Sequence, residues 1–150
     1  MPDRTITRRP FIGVALLGLT GCAGQATLTV RPTRVFFIEP ADGAIVTSPV
    51  TVRLGTDNLT VRPAGDMTRY TGHHHLLIDR TPIAVGQPIP FDPPGTNIHH
   101  HLGGGGAEIT VNLPPGPHTL TAQFADGRHI ALGGLGAMTA TIRVTVVTIG

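Results

Sequence analysis

The sequence predicts an all-β domain: an immunoglobulin-like antiparallel sandwich of about seven short strands, with a small β-barrel as the alternative. Three observations carry that prediction. The chain of 150 residues holds 20 Gly and 14 Pro, which punctuate it with turns. Apolar residues recur with period two in several stretches, as strands require when one face is buried. Charged residues make up only 13%, too few for the polar faces of long surface helices.

The N-terminal segment is read apart from the domain. Arg8-Arg9 precede an apolar run from Phe11 to Leu19, too short to span a bilayer but suited to the hydrophobic region of a signal peptide. The run closes in Leu19-Thr20-Gly21-Cys22, in the manner of a lipobox. Residues 1–21 are therefore expected to be a lipoprotein signal peptide, residues 22–34 a lipidated Cys22 and spacer, and residues 35–150 a single β-sandwich domain. Thr7-Arg8-Arg9-Pro10-Phe11-Ile12 also resembles the twin-arginine export motif. The expected product is an exported bacterial lipoprotein on the periplasmic or cell-surface side of a membrane, held there by acyl chains on Cys22.

Loss of that segment changes the chemistry available. All 11 basic residues are Arg, and removing Arg4, Arg8, Arg9 and Asp3 with the leader leaves eight Arg against eight acids. With no Trp, one Tyr and no basic stripe, the composition argues against nucleic acid as a partner. Cys22 is the only cysteine, so no intrachain disulfide can form. Any metal site must then be built from His, carboxylate or Met.

In chain order, Val35 to Ile38 reads as a first strand closed by Glu39-Pro40 and the turn at Asp42-Gly43. Ile45 to Leu54 reads as one half-buried strand, with Val50, Val52 and Leu54 on one face and Pro49 near its start. Thr56 to Thr68 is expected as loop around a short strand at Leu59 to Val61. Thr71 to Asp79 is apolar on both faces and predicts a strand covered on both sides. Five prolines between Arg80 and Gly95 predict an irregular surface excursion. Strands follow at Glu108 to Leu113, with Ile109, Val111 and Leu113 inward, and at His118 to Phe124. A Gly-rich loop from Gly133 to Gly136 leads to the last strand, Ala140 to Val147, which buries Ala140, Ile142, Val144 and Val146. Gly103 to Gly106 lack the Lys and Ser/Thr of a phosphate-cradling loop, which removes a nucleotide reading.

Six of the eight histidines fall in two clusters, His73-His74-His75 and His99-His100-His101. Residues i and i+2 of a strand point the same way about 7 Å apart, so their imidazoles can converge on one ion at about 2 Å. His73 with His75, and His99 with His101, each have that spacing. If the two segments are neighbours in a sheet, they offer up to four neutral nitrogen ligands. Imidazole suits copper and zinc, and the Irving-Williams order favours copper. His129, in a loop after a tight turn, is a fifth candidate. His74 and His100 face away from the pairs, His118 falls in register with Leu120 and Phe124 as a structural residue, and Met67 is a soft-ligand candidate.

No cysteine nucleophile and no Gly-x-Ser-x-Gly elbow is present. Asp79, Glu108 and Asp126 are the acids that a catalytic metal site would draw on. The residues favour a copper- or zinc-binding module for sequestration, delivery or sensing over an enzyme. Two alternatives stand beside it: a structural or protein-interaction module of an envelope complex without metal, and a small metal-dependent oxidoreductase.

The motifs Val35-Phe36-Phe37-Ile38-Glu39-Pro40-Ala41-Asp42-Gly43, Thr47-Ser48-Pro49-Val50, Pro63-Ala64-Gly65, Gly72 to Asp79 and Leu113 to Leu120 occur in that order. With them the chain resembles a family of exported bacterial proteins, domain of unknown function 4399, from about Val35 to Val147. The resemblance implies a β fold, an exported location and a histidine set of His73, His74, His75, His99, His101 and His129, the last after Asp126. Two departures stand out. The late segment Asp126 to Leu132 keeps one His where the family pattern has more, and Gly103 to Gly106 replace a more mixed sequence.

Overall fold

The computed structural model describes residues 32–91, 96, 98–134 and 136–149. The expected signal peptide, Cys22 and most of the spacer lie outside the described residues. No helix occurs among those described, and none is long and apolar enough to cross a membrane. The strands are β1 (Thr33–Glu39), β2 (Ala44–Thr47), β3 (Val50–Asp57), β4 (Thr60–Val61), β5 (Thr71–Ile78), β6 (His99–His101), β7 (Glu108–Val111), β8 (Gly116–Ala125), β9 (Gly136–Ala137) and β10 (Thr139–Val147). They form two sheets. One has the order β7-β3-β1-β9; the other runs β2-β10-β8-β5, with β4 and β6 sharing the outer edge of β5.

The core lies between the sheets because the period-two apolar faces meet there. Val35, Val50, Val52 and Leu54 from the first sheet pack with Leu76, Ile78, Leu120, Ala122, Phe124, Ile142, Val144 and Val146 from the second. Burial of each large aliphatic or aromatic side chain contributes about 1.5–3 kcal/mol. With a single cysteine in the chain, this apolar contact is the main source of stability. Ala140, expected inside, is only half-buried at the start of β10.

Two sequence expectations are corrected. The single strand expected from Ile45 to Leu54 is two strands in different sheets: β2 pairs with β10, whereas β3 pairs with β1 and β7. The break falls at Ser48-Pro49, where proline has no N–H to continue a ladder. The Ser48 hydroxyl instead accepts a hydrogen bond from Leu113 N at 3.0 Å. The second correction concerns direction. The central ladders are antiparallel, but β2–β10, β1–β9 and β4–β5 are parallel. β2, β4 and β9 are short edge pieces, and no hairpin joins any of them to its partner, so the connection does not dictate an antiparallel course.

The excursion after β5 is irregular as expected in its described part, residues 80–91, and there it forms a strap over the outer face of the second sheet. The Gln123 amide anchors it in both directions: Oε1 accepts from Ile83 N at 2.9 Å and Nε2 donates to Ile83 O at 2.6 Å. Further along, Gly86 and Ile89 donate to Ala131 and His129 carbonyls, and Ala131 N donates to Gln87 O. Ile83 and Ile89 pack there on Ala125 and Ala131. Every residue of β5 is consequently buried, and so is β8 from Leu120 to Ala125.

Candidate metal centre

β5 and β6 are antiparallel neighbours, with His75 opposite His101, Leu76 opposite His100 and Leu77 opposite His99. This register places His73, His75, His99 and His101 on one face, beneath the strap. Side chains directly opposite one another in such a pair stand about 5 Å apart, close enough for two imidazoles to share an ion. Leu102 N donates to His74 O and Ile78 N to Ile98 O, which lengthens the ladder beyond the three residues of β6.

His129 arrives from above. It has a left-handed backbone (φ 65), its N–H donates to Asp126 O, and its carbonyl accepts from Ile89 of the strap. The Asp126 carboxylate accepts from the N–H groups of Arg128 and Ile130 at 2.8 and 3.0 Å. Burial raises the Asp126 pKa, but those N–H groups and the Arg128 guanidinium outweigh it and hold the carboxyl below its usual range. Asp126, a candidate acid in the sequence, therefore shapes the turn that presents His129.

The result is a group of four: one ring nitrogen from each of His73, His75, His101 and His129, all within 4.8 Å of one another. His73 and His75 approach through their Nε2 atoms at 3.0 Å, as do His101 and His129. Four nitrogens at about 2 Å from one tetrahedral ion stand about 3.3 Å apart, so the widest-set pair would close by about 1.5 Å to hold one. His73 and His75 are fully buried, His129 is intermediate and His101 is exposed. The group thus opens to solvent on the His101 side. Phe91 stands at that opening, 4.9 Å from the His129 ring and 5.6 Å from that of His101. A β-carbon at Gly103 would collide with the His101 ring, which gives this one glycine a reason in the site.

The electrostatics favour neutral imidazole, the form that binds metal. Burial, and then the neighbouring imidazoles, lowers His73 to about 4 and His75 to about 2. His101 is lowered too, by burial and by His129.

The other candidates fall elsewhere. His99 stands beside His75, with its Nε2 at 2.8 Å from His75 Nδ1, the ring centroids 5.0 Å apart and the planes within 20° of each other. His100 lies opposite Leu76, on the face of His74. Asp79 is not directed at the cluster. Its carboxylate accepts from Thr119 N and meets His118 Nδ1 at 2.7 Å, while His118 Nε2 faces the Pro114 carbonyl at 2.9 Å. Both His118 partners are acceptors; these hydrogen bonds and the Asp79 charge outweigh burial and raise its pKa, which favours the doubly protonated ring. Glu108 pairs with Arg53 on the other sheet. Met67 lines a separate cavity of about 400 Å³ with Met138 and Tyr70, and none of the four clustered histidines lines it. Phe91 and Gln123 were not singled out in the sequence. Phe91 lies in an irregular segment, and Gln123 looks like a solvent-facing residue of an alternating strand.

His74 lies inside the sheet-to-sheet core, its ring 5.1 Å edge-on to Phe124 and both its nitrogens without a hydrogen-bond partner. Burial lowers it to about 4. A buried unsatisfied polar group costs about 1–3 kcal/mol. His74→Leu is therefore expected to raise stability at neutral pH by about 1–2 kcal/mol, read as a higher urea midpoint with unchanged slope.

Fold and site together define an all-β domain carrying a four-histidine cluster that can hold a metal ion. The chain belongs to the family described as Domain of unknown function (DUF4399), whose profile matches residues 52–147. That span includes both histidine clusters and His129, and it begins after the motifs at Val35 to Val50. Comparisons with curated proteins and with solved structures give no match.

Proposed function

We propose that this protein is an envelope lipoprotein whose domain binds one copper or zinc ion, for sequestration, delivery or sensing. The observation that carries the reading is the convergence of His73, His75, His101 and His129 from two strands and a loop onto one point. A set of neutral nitrogens without thiolate suits Cu(II) and Zn(II), and copper is favoured where both are available. Anchoring through Cys22, and export by the general or the twin-arginine route, are part of the proposal and rest on the leader sequence alone. The two-sheet architecture supports an immunoglobulin-like sandwich over a small barrel.

A second reading is a protein-interaction module of an envelope complex, in which the histidines form a hydrogen-bonded network. It is favoured by the ring N···N distances of 2.8–3.0 Å, which neutral imidazoles can satisfy among themselves. The exposed side at His101 also keeps a small metal-dependent oxidoreductase in view, because an open coordination position is what catalysis at a metal needs. The test is titration of metal-free protein with Cu(II) and Zn(II), followed by electron paramagnetic resonance of the copper form. One equivalent with nitrogen hyperfine structure is expected. Substoichiometric uptake without it would overturn the metal reading and leave the network.

A further inference from the structure

We infer that His99 is a positioning residue: it holds His75 as the tautomer protonated on Nδ1, so that the lone pair on His75 Nε2 faces the cluster. The inference deepens the metal-binding proposal and rests on it for its affinity arm. The Nε2 atoms of His73 and His75 are 3.0 Å apart, as are those of His101 and His129, so the ε nitrogens are the ones that face a common centre. An ion bound by His75 Nε2 needs its lone pair there, which leaves the proton on Nδ1. That buried N–H needs an acceptor, and His99 Nε2 lies 2.8 Å away.

The same bond occupies His99. Its Nε2 lone pair accepts from His75 and cannot at the same time bind the ion. The sheet register makes the arrangement possible, because His99 is opposite Leu77, one step along the same face from His75, and its ring lies edge to edge with that of His75, the planes 20° apart. His73 has no equivalent support, since its Nδ1 is buried without a partner. Of the two fully buried members of the cluster, only His75 has its second nitrogen so engaged. Groups that orient metal-bound histidines in this way typically alter affinity 10- to 100-fold.

The experiment is long-range ¹H–¹⁵N spectroscopy of the imidazoles, before and after zinc is added, on the unsubstituted protein and on His99→Ala and His99→Gln. In the metal-free protein, His75 is expected to show an exchange-protected Nδ1–H coupled to His99 Nε2. Zinc should then shift the ε nitrogens of His73, His75, His101 and His129 and leave the His99 signals in place. His99→Ala should bind zinc 10- to 100-fold more weakly with the same number of metal-bound nitrogens, and His99→Gln, whose amide oxygen can accept, should recover part of the loss. A metal-induced shift of His99 Nε2, or unaltered affinity in His99→Ala, would overturn the inference. Failure of the unsubstituted protein to bind either zinc or Cu(II) overturns the metal reading separately. The tautomer is then decided by the metal-free spectrum, in which a proton on His75 Nε2 refutes the assignment.

Discussion

His101→Ala is expected to lose most metal binding while keeping the fold, whereas His75→Ala is expected to lose both binding and several kcal/mol of stability. The two residues stand directly opposite each other and belong to the same group of four, so removing either deletes one ligand. Their burial separates the structural consequences. His101 is exposed, and surface truncations away from special features usually cost within about 0.5 kcal/mol. His75 is fully buried, and truncation of a buried ring leaves a cavity and strands the partners His73 and His99. For the unsubstituted protein, an ion at 100 times its dissociation constant adds about 2.7 kcal/mol to the folding free energy. Thermal unfolding with and without Cu(II) or Zn(II) reads both effects. A His101→Ala protein that keeps the full metal-induced stabilisation would remove His101 from the site.

The metal-free protein is expected to lose stability steeply as the pH falls from about 6.5 towards 4. His73 and His74 are lowered to about 4 and His75 to about 2, in each case first by burial. An unfolded chain takes up these protons near pH 6.5, while the folded chain holds the rings neutral. The unfolded state therefore binds more protons at these three rings, and stability rises with pH across this window, while His118, whose pKa is raised, gives a smaller opposite contribution that is lost as pH rises above about 6.5. By pH 5 the loss reaches up to about 2 kcal/mol for each group, lessened by any solvent screening. Against a total of about 5–15 kcal/mol, three such groups bring the domain close to unfolding. Bound metal should move the acid transition to lower pH, because it competes with protons for the same nitrogens. Urea midpoints at pH 7.5, 6 and 5, with and without zinc, would show this. A pH-independent midpoint in the metal-free protein would mean that the buried rings are solvated. In His74→Leu, part of the slope should disappear.

Much of the architecture was legible because period-two alternation and proline and glycine punctuation are local signals. They located β1, β4, β5, β7, β8 and β10, ran β2 and β3 together, and marked Thr71 to Asp79 as covered on both faces, which holds as far as Ile78. Those signals say nothing of which sheet a strand joins. Val46 and Val50 lie in one apolar stretch of sequence, yet the proline between them sends the two halves to opposite sheets, one of them parallel to its partner.

The site divides in the same way. Spacing alone put His73 with His75 and His99 with His101, because residues two apart on any strand share a face. The tertiary structure decided the rest. Antiparallel register set His101 beside His75 and left His99 one step further along, with its ring nitrogen on His75 Nδ1. The Asp126 turn, held against the strap, brought in His129 from beyond β8. The sequence by itself determined an all-β domain with paired histidines on its strands. Which four nitrogens meet was decided by strand register and by one loop, because convergence depends on contacts between segments that periodicity, a property of single segments, does not encode.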